Sequence, residues 1–166
     1  MTTFFCLYTL VGLALFYLQN LVLFPQVHLR LLELLVFYVG LKPSLPLAFA
    51  VALGLGLLLD SYAATPFGVH LLACLALVAA ARFFRPRFLL QRLLPQVLAT
   101  LGALALQEAV FQVTLTLTAT RTFFAGGIPF WEDLGTAALA PLMFALMPRL
   151  EKVLHRLGGG ALGPIG

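Results

Sequence analysis

Few side chains in this sequence could do chemistry, and the sharpest pair is Asp60 with His70. Asp60 is the only acid between Glu33 and Glu108, and it ends an unbroken leucine run. A carboxylate and an imidazole at such a boundary support two readings. One is a polar site at the mouth of a helical bundle, for a partner or a ligand. The other is local: Asp60 ends one helix or caps the next, and His70 satisfies a backbone carbonyl. A carboxylate near a helix N-terminus gains ~0.3–1 kcal/mol from the dipole, so the local reading has its own mechanism. Two residues do not make a metal site, since a catalytic zinc takes three protein ligands. His28 and His155 are far along the chain. No metal and no cofactor are expected.

Gln107, Glu108 and Gln112 form the second group, inside a long apolar segment. Glu108 and Gln112 are i,i+4 and share a helix face. An ionised side chain at the centre of a membrane helix costs ~2.5–3.5 kcal/mol on insertion scales, so such a residue turns inward, pairs or stays protonated. These three residues read either as a proton or substrate path or as a hydrogen-bonded clamp between helices. No nucleophile stands with a base, and there is no glycine-rich phosphate loop, CxxC or HExxH. Enzymatic activity is not expected.

The elements that carry these residues follow from composition. Apolar residues make up 62% of the chain and charged residues 10%, and the mean hydropathy is +1.06. A soluble domain has roughly 45–50% apolar and about 25% charged residues. This sequence is therefore expected to be an all-α integral membrane protein with no separate soluble domain. Cys6 and Cys74 lie in apolar runs and read as small buried hydrophobes, not as a disulfide. Met1-Thr-Thr offers no basic n-region, so no cleavable signal is expected.

Six spans are expected, at about 4–24, 26–41, 45–62, 67–84, 93–118 and 134–148. They make one helical domain over 1–157, followed by a flexible glycine-rich tail over 158–166. The second segment is the doubtful one. It is short, and it carries Arg30 and Glu33 at i,i+3. Gly54 and Gly56 are expected to bare one helix face for close approach by another helix. Pro66 cannot continue the helix that ends near Asp60 but suits the first turn of the next. Gly68 and His70 then lead into the fourth segment. Trp131 fits an interfacial aromatic belt. Leu150, Val153, Leu154 and Leu157 give the chain a short amphipathic extension after the last span.

Charge orients this plan. With six crossings, Lys42, Arg82, Arg85, Arg87, Arg92, Arg149, Lys152 and Arg156 fall on the N-terminal side, and only Arg30 and Arg121 fall opposite. The positive-inside rule then puts both termini in the cytoplasm. Arg82, Arg85, Arg87 and Arg92 alternate with phenylalanines in a loop too short and too near the bilayer for nucleic acid. Such arginines gain about 1 kcal/mol each near anionic head groups. They are expected to anchor to anionic lipid and to offer a surface to a cytoplasmic partner.

Gly56-Leu-Leu-Leu-Asp60, followed by Pro66-Phe67-Gly68-Val69-His70-Leu71, resembles the pattern of the rod-shape-determining membrane protein MreD family. The short second segment, the basic central loop and the basic C-terminus fit the same plan. Phe67 departs from the leucine expected there. The resemblance implies a non-enzymatic scaffold of the bacterial elongation machinery, in the inner membrane. It implies a direct partner, MreC, and coupling of the MreB filament to the glycosyltransferase and transpeptidase that build peptidoglycan. The groove for MreC is then expected around Gly54, Gly56, Asp60, Pro66, Gly68 and His70. The implied six-helix fold is also similar to the substrate-binding S subunits of energy-coupling-factor vitamin transporters. A transport subunit of that kind is the alternative function.

Overall fold

The computed structural model describes residues 2–23, 29–63, 65–85, 93–118 and 130–158. All regular structure among them is helical. The helices are α1 (Thr2–Tyr17), continued by a π-helical segment at Leu18–Leu23, then α2 (Leu31–Gly40), α3 (Leu45–Tyr62), α4 (Val69–Phe84), α5 (Leu93–Thr118) and α6 (Phe130–Gly158). Among the described residues, three stretches are long and apolar enough to cross a membrane: Thr3–Asn20, Leu45–Tyr62 and Leu93–Thr118. α2 and α4 are shorter apolar helices. Pro46 sits in the first turn of α3, where a missing N–H costs nothing.

The short second segment is the centre of the molecule. α2 packs against α1, α3, α4, α5 and α6. Every residue of α2 except Glu33 is buried, and Leu34, Leu35 and Val39 are wholly so. At 1.5 Å per residue α2 is about 15 Å long, half the thickness of a hydrocarbon core. It needs no full span of its own because protein, not lipid, surrounds it. Chain that is not helical is tolerated at membrane depth under the same condition.

The polar contacts fix the direction of each helix. Tyr8 of α1 and Tyr38 of α2 both reach Glu151 of α6. At the opposite end Arg30, just before α2, meets Glu108 of α5 and Asp133 of α6. Successive helices therefore run up and down, and the start of α1 and the end of α6 share one end of the bundle. The end that carries Arg30 also presents exposed Tyr62, Phe67 and Trp131. Leu10, Leu98, Val113, Leu117 and Leu142 are exposed along the sides, a surface that suits lipid rather than water. Thr114, Thr116 and Thr118 return their hydroxyls to the carbonyls four residues back, at 2.7 Å each. That satisfies the hydroxyls within α5 itself.

Several expectations shift. α6 begins at Phe130, so Trp131, Glu132 and Asp133 belong to its first turn and not to a loop. The amphipathic extension continues the same helix to Gly158. Cys6 is exposed on α1, while Cys74 is buried. Pro66 lies in the turn before α4 rather than in its first helical turn. The remainder of the expected tail, 159–166, lies outside the described residues.

Candidate functional site

Gly54 and Gly56 do not share a face. Residues two apart on a helix point in roughly opposite directions. Gly56 is the contact point of α3 with α4, where an added Cβ would stand 2.9 Å from the Leu71 Cα. Gly54 faces outward, and a Cβ added there would meet no atom of the other described elements within 4 Å. It borders a cleft of ≈ 200 Å³ between α1 and α3, lined also by Phe5, Thr9, Leu13, Leu55 and Leu58.

Asp60 is buried and turned toward α4. Its carboxylate accepts the backbone N–H groups of Gly68 at 3.0 Å, His70 at 2.9 Å and Leu71 at 3.1 Å. Gly68 stands at the N-cap with φ +99°, in the left-handed region, and has no side chain to cap with. Asp60 reaches across from α3 to cap α4, so its oxygens are committed within the chain. His70 gives its N–H to Asp60, and its ring lies against Phe111, 4.9 Å between centroids. Pro66 is exposed in the connecting turn.

Next to this turn the helix ends enclose a polar layer. The Arg30 Nη1 lies 2.7 Å from Glu108 Oε2. The Arg30 Nε is 3.6 Å from Asp133 Oδ1 and 3.8 Å from Glu33 Oε2. The Arg30 backbone N–H donates to Thr136 Oγ1 at 3.0 Å. Gln112 donates to Glu108 Oε1 at 2.7 Å, and Gln107 donates to the Glu33 carboxylate. Three acids from three helices thus share one guanidinium. Of Gln107, Glu108 and Gln112, only the last two bond to each other, within α5; the links to other helices run from Gln107 to Glu33 and from Glu108 to Arg30. Arg30, Glu33, Gln107, Glu108 and His70 line a cavity of ≈ 280 Å³, together with Gln19 and Asn20 of the π-helical segment. Asn20 donates to the Phe16 carbonyl, and Gln19 accepts the Leu32 N–H at 3.4 Å. The π-helical turn brings both amides to this layer. Among the described residues no group of three His, Cys, Asp or Glu is arranged for a metal ion.

The opposite end holds a second polar cluster. Glu151 accepts Tyr8 Oη at 2.7 Å, Tyr38 Oη at 2.8 Å and Lys42 Nζ at 2.7 Å. The Lys42 ammonium also stands 4.9 Å from the Tyr38 ring centroid. Burial works to raise the Glu151 pKa, but the hydrogen bonds from Lys42, Tyr8 and Tyr38 and the Lys42 charge outweigh it. The carboxyl is held below its ordinary value of 4.5. A lowered carboxyl pKa stabilises the fold fully above the ordinary value, and that contribution is lost as the pH falls through the lowered one. Wild type should therefore melt above Glu151→Gln at neutral pH, by about 1.5–3 kcal/mol for bonds to a charged group. The gap should close only below pH 4.5, as measured by melts from pH 7 downward.

Of the basic residues, Arg82 donates to the Pro43 carbonyl at 3.3 Å, tying the end of α4 to the α2–α3 turn. Arg85, Arg149, Lys152 and Arg156 are exposed. Arg87 and Arg92 lie outside the described residues. The sequence reading missed Asp133 and Thr136 as members of the Arg30 layer, and Tyr8, Tyr38 and Glu151 as a cluster. One signal could have found the first group: in a six-segment plan Arg30, Glu33, Glu108 and Asp133 all fall at the same end. Compared with family models, curated proteins and solved structures, the chain matches none.

Proposed function

We propose that this chain is a non-enzymatic scaffold of the MreD kind in the bacterial inner membrane. In this reading it crosses six times, keeps both termini in the cytoplasm, and binds MreC. Through MreC it helps couple the MreB filament to peptidoglycan synthesis. The observation that carries the reading is the apolar cleft between α1 and α3, open at Gly54. Of the three stretches long enough to cross a membrane, the one in α1 is the least buried within the protein. In lipid, close packing at small residues drives helix association, and the transmembrane helix of MreC is the occupant we assign to this cleft. Six crossings are supported by the alternation of the helices and by the two polar layers. Asp133 and Glu151 on α6 are about 27 Å apart along the helix axis, close to one hydrocarbon thickness. The basic residues Lys42, Arg82, Arg85, Arg149, Lys152 and Arg156 gather at the end of the molecule shared by the start of α1 and the end of α6.

The test is a pair of glycines. Gly54→Leu fills the cleft and should leave the protein folded while MreC no longer co-purifies. Gly56→Ala pushes α3 from α4 and should cost about 1–3 kcal/mol of stability with no partner present. Full MreC recovery with Gly54→Leu would move the partner elsewhere. Reporter fusions at the two ends are expected to place both in the cytoplasm. A periplasmic N-terminus would mean α2 does not count as a crossing.

The ≈ 280 Å³ polar cavity favours a second reading. Pockets for small molecules combine enclosure with a few convergent polar groups, as the substrate-binding subunit of a vitamin-type transporter requires. Co-purification with an ATPase pair instead of MreC would select it.

A further inference from the structure

We infer that one face of the α6 extension, carrying Arg149, Lys152 and Arg156, binds the phosphates of anionic phospholipid. The inference rests on the reading of α6 as a membrane crossing, and not on MreC. Its starting point is how the extension is turned. Glu151 accepts Tyr8, Tyr38 and Lys42, and Leu150 packs against the core. These contacts fix the rotation of the helix about its own axis. Arg149, Lys152, Val153 and Arg156 stand at i, i+3, i+4 and i+7, so they share the face turned away from the bundle. All four are exposed. The apolar stripe expected over Leu150, Val153, Leu154 and Leu157 is therefore broken: Val153, 53% exposed, lies among the cations.

Charge selects an anion. The whole chain has 6 acidic side chains. Glu33, Glu108 and Asp133 meet Arg30 at the other end of the bundle. Glu132 shares the first turn of α6 with Asp133, and Asp60 caps α4. That leaves Glu151, whose two oxygens are already taken by Tyr8, Tyr38 and Lys42. The stretches that follow α4 and α6, 86–92 and 159–166, contain no acid. No acidic side chain of this chain is left for Arg149, Lys152 and Arg156, so their counter-charge comes from outside.

Depth selects lipid over an acidic protein segment. In the crossing reading α6 leaves the hydrocarbon near Glu151. From Arg149 to Arg156 it rises about 10 Å, enough to cross a head-group layer of about 5–8 Å on each side of the core. The basic face therefore lines the depth at which lipid phosphates lie. Leu45, Phe83, Leu93 and Leu94 are exposed at the same end and fit the level where acyl chains begin. Val153 puts an apolar contact between the cations, which suits the interface rather than water. A guanidinium takes a phosphate through two parallel hydrogen bonds. At about fivefold for each basic group near an anionic surface, the three together are worth on the order of a hundredfold in lipid affinity.

The probe is phosphatidylglycerol with a photoactivatable group on its head, at low fraction in phosphatidylcholine nanodiscs that hold the full chain. Mass spectrometry maps the adducts. Label is expected on 149–156, displaced by unlabelled phosphatidylglycerol and not by further phosphatidylcholine. Arg149→Gln, Lys152→Gln and Arg156→Gln together should cut the labelling of this segment by at least about tenfold. High salt should do the same to the wild-type chain, a readout that needs no variant. Label that phosphatidylcholine displaces equally well, or that survives the triple substitution in the folded protein, overturns the assignment. Capture of a poly-glutamate peptide by this face without any lipid label also overturns it, and gives the face to an acidic protein segment. Reporters placed in 119–129 and after Gly158 score the crossing by itself. Opposite sides with no lipid label would sink the lipid face alone, and the same side would sink both readings.

Discussion

Arg30→Ala is expected to destabilise the protein by about 3–5 kcal/mol, the usual cost of removing one partner from a buried ion pair. The mechanism is electrostatic. Arg30 holds Glu108 at 2.7 Å, with Asp133 and Glu33 behind it. Without the guanidinium, three carboxylates from α2, α5 and α6 face one another with no cation among them. Ionised acids inside a membrane helix bundle are costly unless paired, so they must protonate or drive the helix ends apart. The Thr136 hydroxyl would keep its bond to the residue-30 backbone, so the loss reports the side chain. Arg30→Met combined with Glu108→Gln should recover only part of the stability, because Glu33 and Asp133 still lack the guanidinium. Thermal unfolding in detergent, with no partner added, measures all three proteins. A melting temperature unchanged in Arg30→Ala would show that the layer holds nothing together.

Asp60→Ala should cost at least about 2 kcal/mol, since a buried donor left unbonded costs ~1–3 kcal/mol. Three donors are at stake, the N–H groups of Gly68, His70 and Leu71. They open α4, whose own N-cap is a glycine. No other side chain among the described residues is bonded to those groups, and the charge that complements the α4 dipole goes as well. Asp60→Asn keeps an acceptor oxygen and should lose less. Hydrogen exchange of the α4 amides in protein purified without MreC separates this role from partner binding. Faster exchange in Asp60→Ala, with α6 unchanged, is the expected result. Unchanged exchange, together with loss of MreC, would return Asp60 to the partner surface.

Much of the architecture was legible in the sequence because lipid imposes a simple rule. Apolar runs must become helices whose backbone groups bond internally, so all-helical structure and most segment boundaries followed from hydropathy. The asymmetry of basic residues was likewise countable. The turn from Asp60 to His70 could be located, and the possibility that Asp60 caps the next helix could be stated. What a one-dimensional pattern could not reveal was which polar residues meet. Arg30 and Glu33, read as a local i,i+3 pair, are 3.8 Å apart, while the close partner of Arg30 is Glu108, far along the chain. Glu151, beside the apolar stripe of the amphipathic extension, collects Tyr8 from α1, Tyr38 from α2 and Lys42 from the turn after α2. The second segment looked weakest because it is short, and it is the core because five helices surround it. Hydropathy records what each residue avoids. Which neighbour satisfies a buried charge depends on how the helices pack, and the sequence determined the helices while only the packing decided the pairs.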